Sequence, residues 1–180
     1  MLTAFIPGVL ILTGGLAAAA AAAPGAEPGP LDVVPYVDLQ RYLGKWYEIA
    51  TIPQRFQKGC VGVTAEYALR SDGDIDVVNT CRQGTLDGRV RTARAKAWVV
   101  DRKTNAKLKV RFFWPFTGAY WIIGLDADYR WAIVGHPSRK YLWILCRTPQ
   151  MDDVLYDELL KLIAAKGYDV TRIKKTLQPS

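Results

Sequence analysis

Gly44-Lys45-Trp46-Tyr47-Glu48 stands where an Ala/Pro/Gly-rich N-terminal segment gives way to a run of short strand-like segments. From Trp46 onward these segments are separated by turn residues at regular short spacing, the pattern of an antiparallel barrel or sandwich. Val61, Val63, Ala65, Tyr67 and Leu69 alternate with Gly62, Thr64, Glu66, Ala68 and Arg70. That is the period of two expected of a sheet with one buried face. Ser71-Asp72-Gly73 supplies a hairpin turn, and Ile75, Val77 and Asn79 carry the next strand towards Cys81. Asp87-Gly88 marks another turn. Strands follow near residues 89–100 and 108–113, with a turn around 101–105. Trp114-Pro115-Phe116 breaks the alternation and reads as a loop over 114–117. Three more strands lie near 119–125, 130–135 and 141–147. Eight strands in up-and-down order is the number that closes into a barrel wide enough for one small ligand.

Pro149 ends the last strand. Asp152 and Asp153 favour a helix start, and Val154, Leu155, Leu159, Leu162 and Ile163 form an apolar stripe at helical spacing before Gly167. This helix is expected to pack on the barrel wall, with a short strand near 170–173 after it.

At 180 residues, half of them apolar, the chain is long enough for one domain with a full core. The first charged residue is Glu27; before it come an apolar run over 2–16 and an alanine tract over 17–23. Residues 1–23 therefore read as a signal peptide without the usual basic start, cleaved before Ala23, with a retained membrane anchor as the alternative. Residues 24–35 read as a flexible leader and 36–180 as the folded domain. The net charge of +7 favours anionic surfaces, but the basic residues are scattered, so no nucleic-acid face is indicated. Cys60 and Cys81 flank one hairpin and are the expected disulfide, while Cys146 lies in an apolar run as a small buried hydrophobe. With no CxxC and no His/Cys cluster at ligand spacing, neither a metal nor a cofactor is expected.

In an up-and-down barrel the connections alternate between two ends. Trp46 begins the first strand at the same end where Arg147 finishes the eighth and where Asp128-Tyr129 turns between the sixth and seventh. Gly44/Trp46, Asp128/Tyr129 and Arg147 together resemble the barrel-closing motif of the lipocalin family, with Ala127 in place of the usual Thr. Physical chemistry agrees, because a guanidinium on an indole face holds the ring while donating to turn carbonyls. The segments 46–50, 112–116 and 141–149 are most similar to bacterial lipocalins of the outer-membrane lipoprotein group and to apolipoprotein D. Those lipoproteins carry a lipid-modified cysteine after the signal peptide. Here no cysteine precedes Cys60, so a periplasmic or secreted protein is expected, in which outer-membrane association would not use a lipid anchor.

The resemblance implies an all-β, eight-stranded barrel with a C-terminal helix, acting as a non-catalytic carrier of a fatty acid or lysophospholipid in membrane maintenance. If Arg147 points into the cup, alternation sends Leu145, Trp143 and Tyr141 inward. The same rule places Ala65, Tyr67 and Val77 inside, with Phe112, Tyr120 and Ile122 as neighbours; a single bulge would reverse the later strands. The mouth would carry Arg55, Phe56 and Lys58 on one loop and Trp114 and Phe116 on another, a mixture suited to an anionic membrane surface or a homodimer contact. Two other readings stand beside the carrier. One is a membrane-peripheral or structural barrel filled by its own side chains. The other is an enzyme using Cys60 or Cys81, for which the lone His136 beside Pro137 offers no catalytic partner in the cup.

Overall fold

The computed structural model describes residues 29–180. The expected signal peptide and residues 24–28 of the expected leader lie outside that range. Eight antiparallel strands, β1 (Gly44–Thr51), β2 (Cys60–Leu69), β3 (Ile75–Gln83), β4 (Val90–Val99), β5 (Lys107–Phe113), β6 (Phe116–Leu125), β7 (Trp131–Gly135) and β8 (Leu142–Cys146), follow one another around a closed barrel. β1 pairs with β8 on one side and with β2 on the other, which closes the ring. This is the barrel that the spacing of turns predicts.

Two clusters divide the core. Inside the barrel lie Trp46, Tyr67, Ile75, Val77, Ala95, Ala97, Leu108, Ile122, Val134 and Leu145. Outside, Ile49, Ile123, Ile133, Leu142, Ile144 and Cys146 pack against α2 (Asp153–Ala165). Registers slip at two bulges, between Glu48 and Ala50 and between Ile122 and Gly124. Ala50 therefore follows Ile49 onto the helix side, and Gly124 lies against Ile133 of the same cluster.

Asp152 caps α2 by accepting from the amides of Val154 and Leu155. The face it presents differs from the expected stripe. Tyr156, Leu159 and Ile163 are buried, whereas Val154 is 69% exposed and Leu162 38%. The face that packs on the barrel wall is the one carrying Tyr156, Leu159 and Ile163, and after the helix Tyr168 is anchored through its hydroxyl to the backbone of His136. A methyl on Gly135 would collide with that hydroxyl, which is why glycine stands there.

Three further expectations are corrected. Residues 29–35 are no loose leader, since Leu31 is buried against the helix-side core and the Val34 amide donates to Ile122. The burial of Leu31 and of Val37 outweighs the Pro/Gly-rich composition that suggested disorder. Residues 170–172 form a 3₁₀ turn capped by Asp169, and the strand comes later, as β9 (Lys174–Lys175). Finally, β6 starts at Phe116, so the expected loop is a two-residue turn held by the Phe113–Phe116 pairing.

Candidate functional site

The closed end is built around Trp46, which is fully buried. Arg147 lies over its ring with the guanidinium carbon 3.8 Å from the ring centroid. The same guanidinium donates to the carbonyls of Tyr129 (3.2 Å), Lys45 (2.9 Å) and Arg41 (2.7 Å). The indole N–H donates to the Tyr42 carbonyl at 2.8 Å, tying strand β1 to the short helix α1 (Leu39–Tyr42) that covers the barrel floor. Gly44 adopts φ +89 beneath Arg147, a conformation costly for any residue with a side chain. Tyr129 also has positive φ, and its hydroxyl accepts from the Asp38 amide at 2.7 Å under a stacked Arg41. Asp128 is exposed; the carboxylate that holds this turn is Asp126, which accepts from the amides of Asp128 and Arg130 and from the Arg130 guanidinium. The Arg130 hydrogen bond holds its carboxyl below the usual range.

Above this floor, Tyr67, Val77, Ile122 and Leu145 are buried and Ala65, Tyr120 and Trp143 are half-buried around the interior. Tyr42, which the spacing of motifs did not bring forward, joins them. The Tyr120 hydroxyl lies 2.7 Å from that of Tyr42 and 2.9 Å from that of Tyr67. Burial pushes Tyr42 and Tyr120 well above the usual phenol value and Tyr67 to about 12, so the trio stays protonated. Tyr141 stands at the rim, 36% exposed, stacked on Trp143, and Phe112 is 40% exposed. Arg55, Phe56, Lys58, Trp114 and Phe116 are all exposed at the mouth.

One site escaped the sequence reading. β1 and β2 pair only as far as Tyr47 opposite Thr64, and beyond that point the C-terminal segment fills the seam. Lys174 and Lys175 pair with Thr51 and Ala50, the Thr176 amide donates to Ile49, and the Gly62 amide donates to Leu177. Glu48, 3% exposed, sits at this junction. Its carboxylate accepts from the Thr176 hydroxyl (2.6 Å) and the Gln57 amide (2.8 Å), and Gln57 in turn accepts from the Trp143 indole (3.1 Å). No cation pairs with Glu48 among the described residues, and burial raises its carboxyl from the usual value, with the two hydrogen bonds opposing. Alternation from Trp46 would have sent Glu48 inward, but only the fold reveals its partners.

Cys60 and Cys81 are bonded to each other, and Cys146 is free and buried on the helix side, away from the cup. His136 hydrogen-bonds Ser138 and packs edge-on against Tyr141. These positions leave no thiol beside a base in the cup.

A family model described as a lipocalin-like domain matches residues 37–178. Outer membrane lipoprotein Blc of Escherichia coli (strain K12) is 43% identical over 152 residues, covering 84% of this chain and 85% of that protein. Temperature-induced lipocalin-1 of Arabidopsis thaliana is 40% identical over 165 residues, with the same shares covered. Apolipoprotein D of Bos taurus is 31% identical over 149 residues, covering 78% and 77%. In structure, insecticyanin of the tobacco hornworm superposes with a TM-score of 0.64 at 20% identity, covering 83% of this chain and 86% of that one.

Arg147→Lys keeps the charge but loses the planar fork over Trp46. Denaturant unfolding should show a loss of about 2 kcal/mol. A change within about 0.5 kcal/mol would mean that stacking and hydrogen bonding at this end contribute little.

Because the Glu48 carboxyl is raised in the folded state, folding takes up a proton between the ordinary carboxylate value and the raised one. The contribution of Glu48 to stability is therefore largest in acid and falls as pH rises through that window. Measured from about pH 4 to pH 8, the stability of wild type minus that of Glu48→Gln should decrease with pH. A difference that stays flat or grows would contradict the burial argument.

Proposed function

Since the chain belongs to the lipocalin family, whose members typically hold small hydrophobic ligands, we propose that it is a non-catalytic carrier of a fatty acid or lysophospholipid. The observation that carries this reading is a gradient of burial along the inner wall. On β4, Ala97 and Ala95 are buried near the floor, whereas every residue from Val90 to Arg94 is exposed, those of the inner face included. On β5, Leu108 is buried, Val110 half-buried and Phe112 exposed. A barrel filled by its own side chains would bury alternate residues along the full length of each strand. Here the half nearest the mouth has an inner surface open to a guest.

An acyl chain of about sixteen carbons gains about 0.8 kcal/mol for each methylene buried, a gross gain of about 10 kcal/mol before ordering and association costs. Micromolar binding needs no polar contact at all. Ala65, Tyr67, Val77, Tyr120, Ile122, Trp143 and Leu145 would line the chain, with Phe112 and Tyr141 at the rim.

Charge is distributed along the barrel axis in a way that suits such a ligand. Mouth loops 52–59, 84–89 and 136–141 carry Arg55, Lys58, Arg89, Arg139 and Lys140 against Asp87 alone. At the closed end the carboxylates are matched by bases: Arg70 and Lys96 pair with Asp72, Asp74 and Asp76, and Arg130 pairs with Asp126. The excess of basic residues at the mouth favours an anionic head group there, with the tail towards the floor. Phe56 (62% exposed), Phe113 (67%), Trp114 (80%) and Phe116 (69%) stand beside the basic residues, and we place this rim against an anionic membrane from which the ligand is loaded. The Cys60–Cys81 bond and the similarity to outer-membrane lipoproteins support a location in the cell envelope.

Trp143 makes loading visible. Its emission should change saturably at about one ligand per chain with lysophospholipid or hexadecanoic acid. A folded protein that responds to neither, nor to retinol, would point to a filled or structural barrel.

The rim is tested separately. Trp114→Ala should weaken co-sedimentation with vesicles containing anionic phospholipid, and added salt should weaken it further. Equal binding to neutral vesicles, or a variant that binds as well as wild type, would remove the rim from the membrane.

A further inference from the structure

The interior of the cup has polar capacity that the barrel itself leaves unused. Three tyrosine hydroxyls meet at the floor, and each carries one proton. Two O···O contacts, Tyr42–Tyr120 and Tyr67–Tyr120, use two of those protons. The third O–H has no acceptor among the described residues. On the adjoining wall, Asn79 follows Val77 by two residues on β3 and so shares its inward face. Its Oδ1 is buried and has no hydrogen-bond partner among the described residues. Its neighbours across the sheet are Ala65 on β2 and Ala93 on β4, neither of which has a side chain long enough to reach over it. An unsatisfied amide oxygen with only alanines beside it across the sheet therefore lies one inward step nearer the mouth than the Tyr67–Val77 pair.

We infer that Asn79 and the Tyr42–Tyr120–Tyr67 trio form a polar subsite inside the cup, which takes a neutral hydroxyl carried by the buried end of a lipid ligand. This rests on the carrier reading and adds to it a preference for ligand chemistry. A hydroxyl both donates and accepts, so it satisfies the Asn79 oxygen and the left-over tyrosine proton together. A carboxylate would not suit the same place. The guanidinium whose charge acts on Tyr42 and Tyr67, that of Arg147, already donates to the backbone carbonyls of Tyr129, Lys45, Arg41 and Tyr42. Arg91 on the inner face of β4 is taken up by Gln83, and the tyrosines are neutral. Burying an anion there without a cation is costly. The charged head stays at the basic mouth and the hydroxyl goes to the floor.

The test compares hexadecanoic acid with 16-hydroxyhexadecanoic acid by titration calorimetry on the disulfide-bonded protein. The two acids share a head and a chain length and differ only at the end that enters first. In a purely apolar cup the terminal hydroxyl would lose its hydration without compensation, and the hydroxy acid would bind at least about tenfold more weakly. The subsite reverses that sign, so that the hydroxy acid binds about five- to tenfold more tightly. In Asn79→Ala and in Tyr120→Phe the ratio of the two affinities should fall to one or below. Reading a ratio within each variant cancels any general damage to the cup, and the wild-type ratio decides the matter even if a variant does not fold. Equal or weaker binding of the hydroxy acid to wild type overturns the subsite and leaves the carrier standing. A preference that survives both substitutions overturns the assignment to these residues. Failure of the folded wild type to bind either acid brings down the carrier reading and the subsite with it.

Discussion

The stack of Arg147 on Trp46 is the constraint on which the rest of the barrel depends. An up-and-down barrel has to be sealed at one end, and this indole fills the space where the first and last strands converge. A ring held only by apolar contact could tilt. Arg147 fixes its face from above while the Tyr42 carbonyl fixes its edge, and the remaining guanidinium donors reach three different parts of the chain. Strand, short helix and turn are thereby tied at a single point. The positive φ of Gly44 and of Tyr129 makes sense in that setting, because both backbone kinks bring carbonyls within reach of one side chain.

With one end sealed, the other can stay open. Inner-face residues on the facing parts of β2, β3 and β4 include Ala65, Ala93, Ala95 and Ala97, too small to fill the barrel. Three large inward side chains, Tyr42, Tyr67 and Tyr120, meet near the floor. The hydrophobic stabilisation that a filled cup would have contributed comes instead from the second core between the barrel wall and α2. Division of labour between two cores is what the proposed carrier role requires.

Opening a barrel has a structural consequence at its seam. β1 and β2 separate towards the mouth, which would leave backbone groups without partners. The C-terminal segment supplies them, acting as a substitute strand whose Gln178 amide donates to the carbonyls of both Glu48 and Val63. Glu48 joins this segment, through Gln57, to Trp143 in the cup wall. A buried carboxylate with neutral partners is an unusual joint, and it connects the Trp143 indole to the C-terminal segment.

Much of this protein could be read along the chain. Periodicity of two with turn residues between strands is a local property, so the eight strands and their order followed from alternation and from Gly, Asp and Pro alone. Trp46 and Arg147 could be brought together because topology, once known, decides which strand ends are neighbours. Other features depend on contacts that no local pattern encodes. The two bulges arise from register between strands, and the first of them puts Ala50 on the helix side beside Ile49. The barrel wall buries the face of α2 that carries Tyr156, Leu159 and Ile163, so Val154 and Leu162 are exposed despite their spacing. Leu31 and Val37 are ordered by the barrel surface they cover, not by any propensity of their own segment. Asp126, rather than the motif residue Asp128, holds the turn because only its carboxylate reaches the amides. The sequence by itself determined the barrel, through periodicity and strand order, and its disulfide, through two cysteines flanking one hairpin, while its closed end was legible through the resemblance to the lipocalin motif. Only the tertiary structure decided which polar groups inside the cup have partners, because a hydrogen bond left unmade depends on what stands across the barrel.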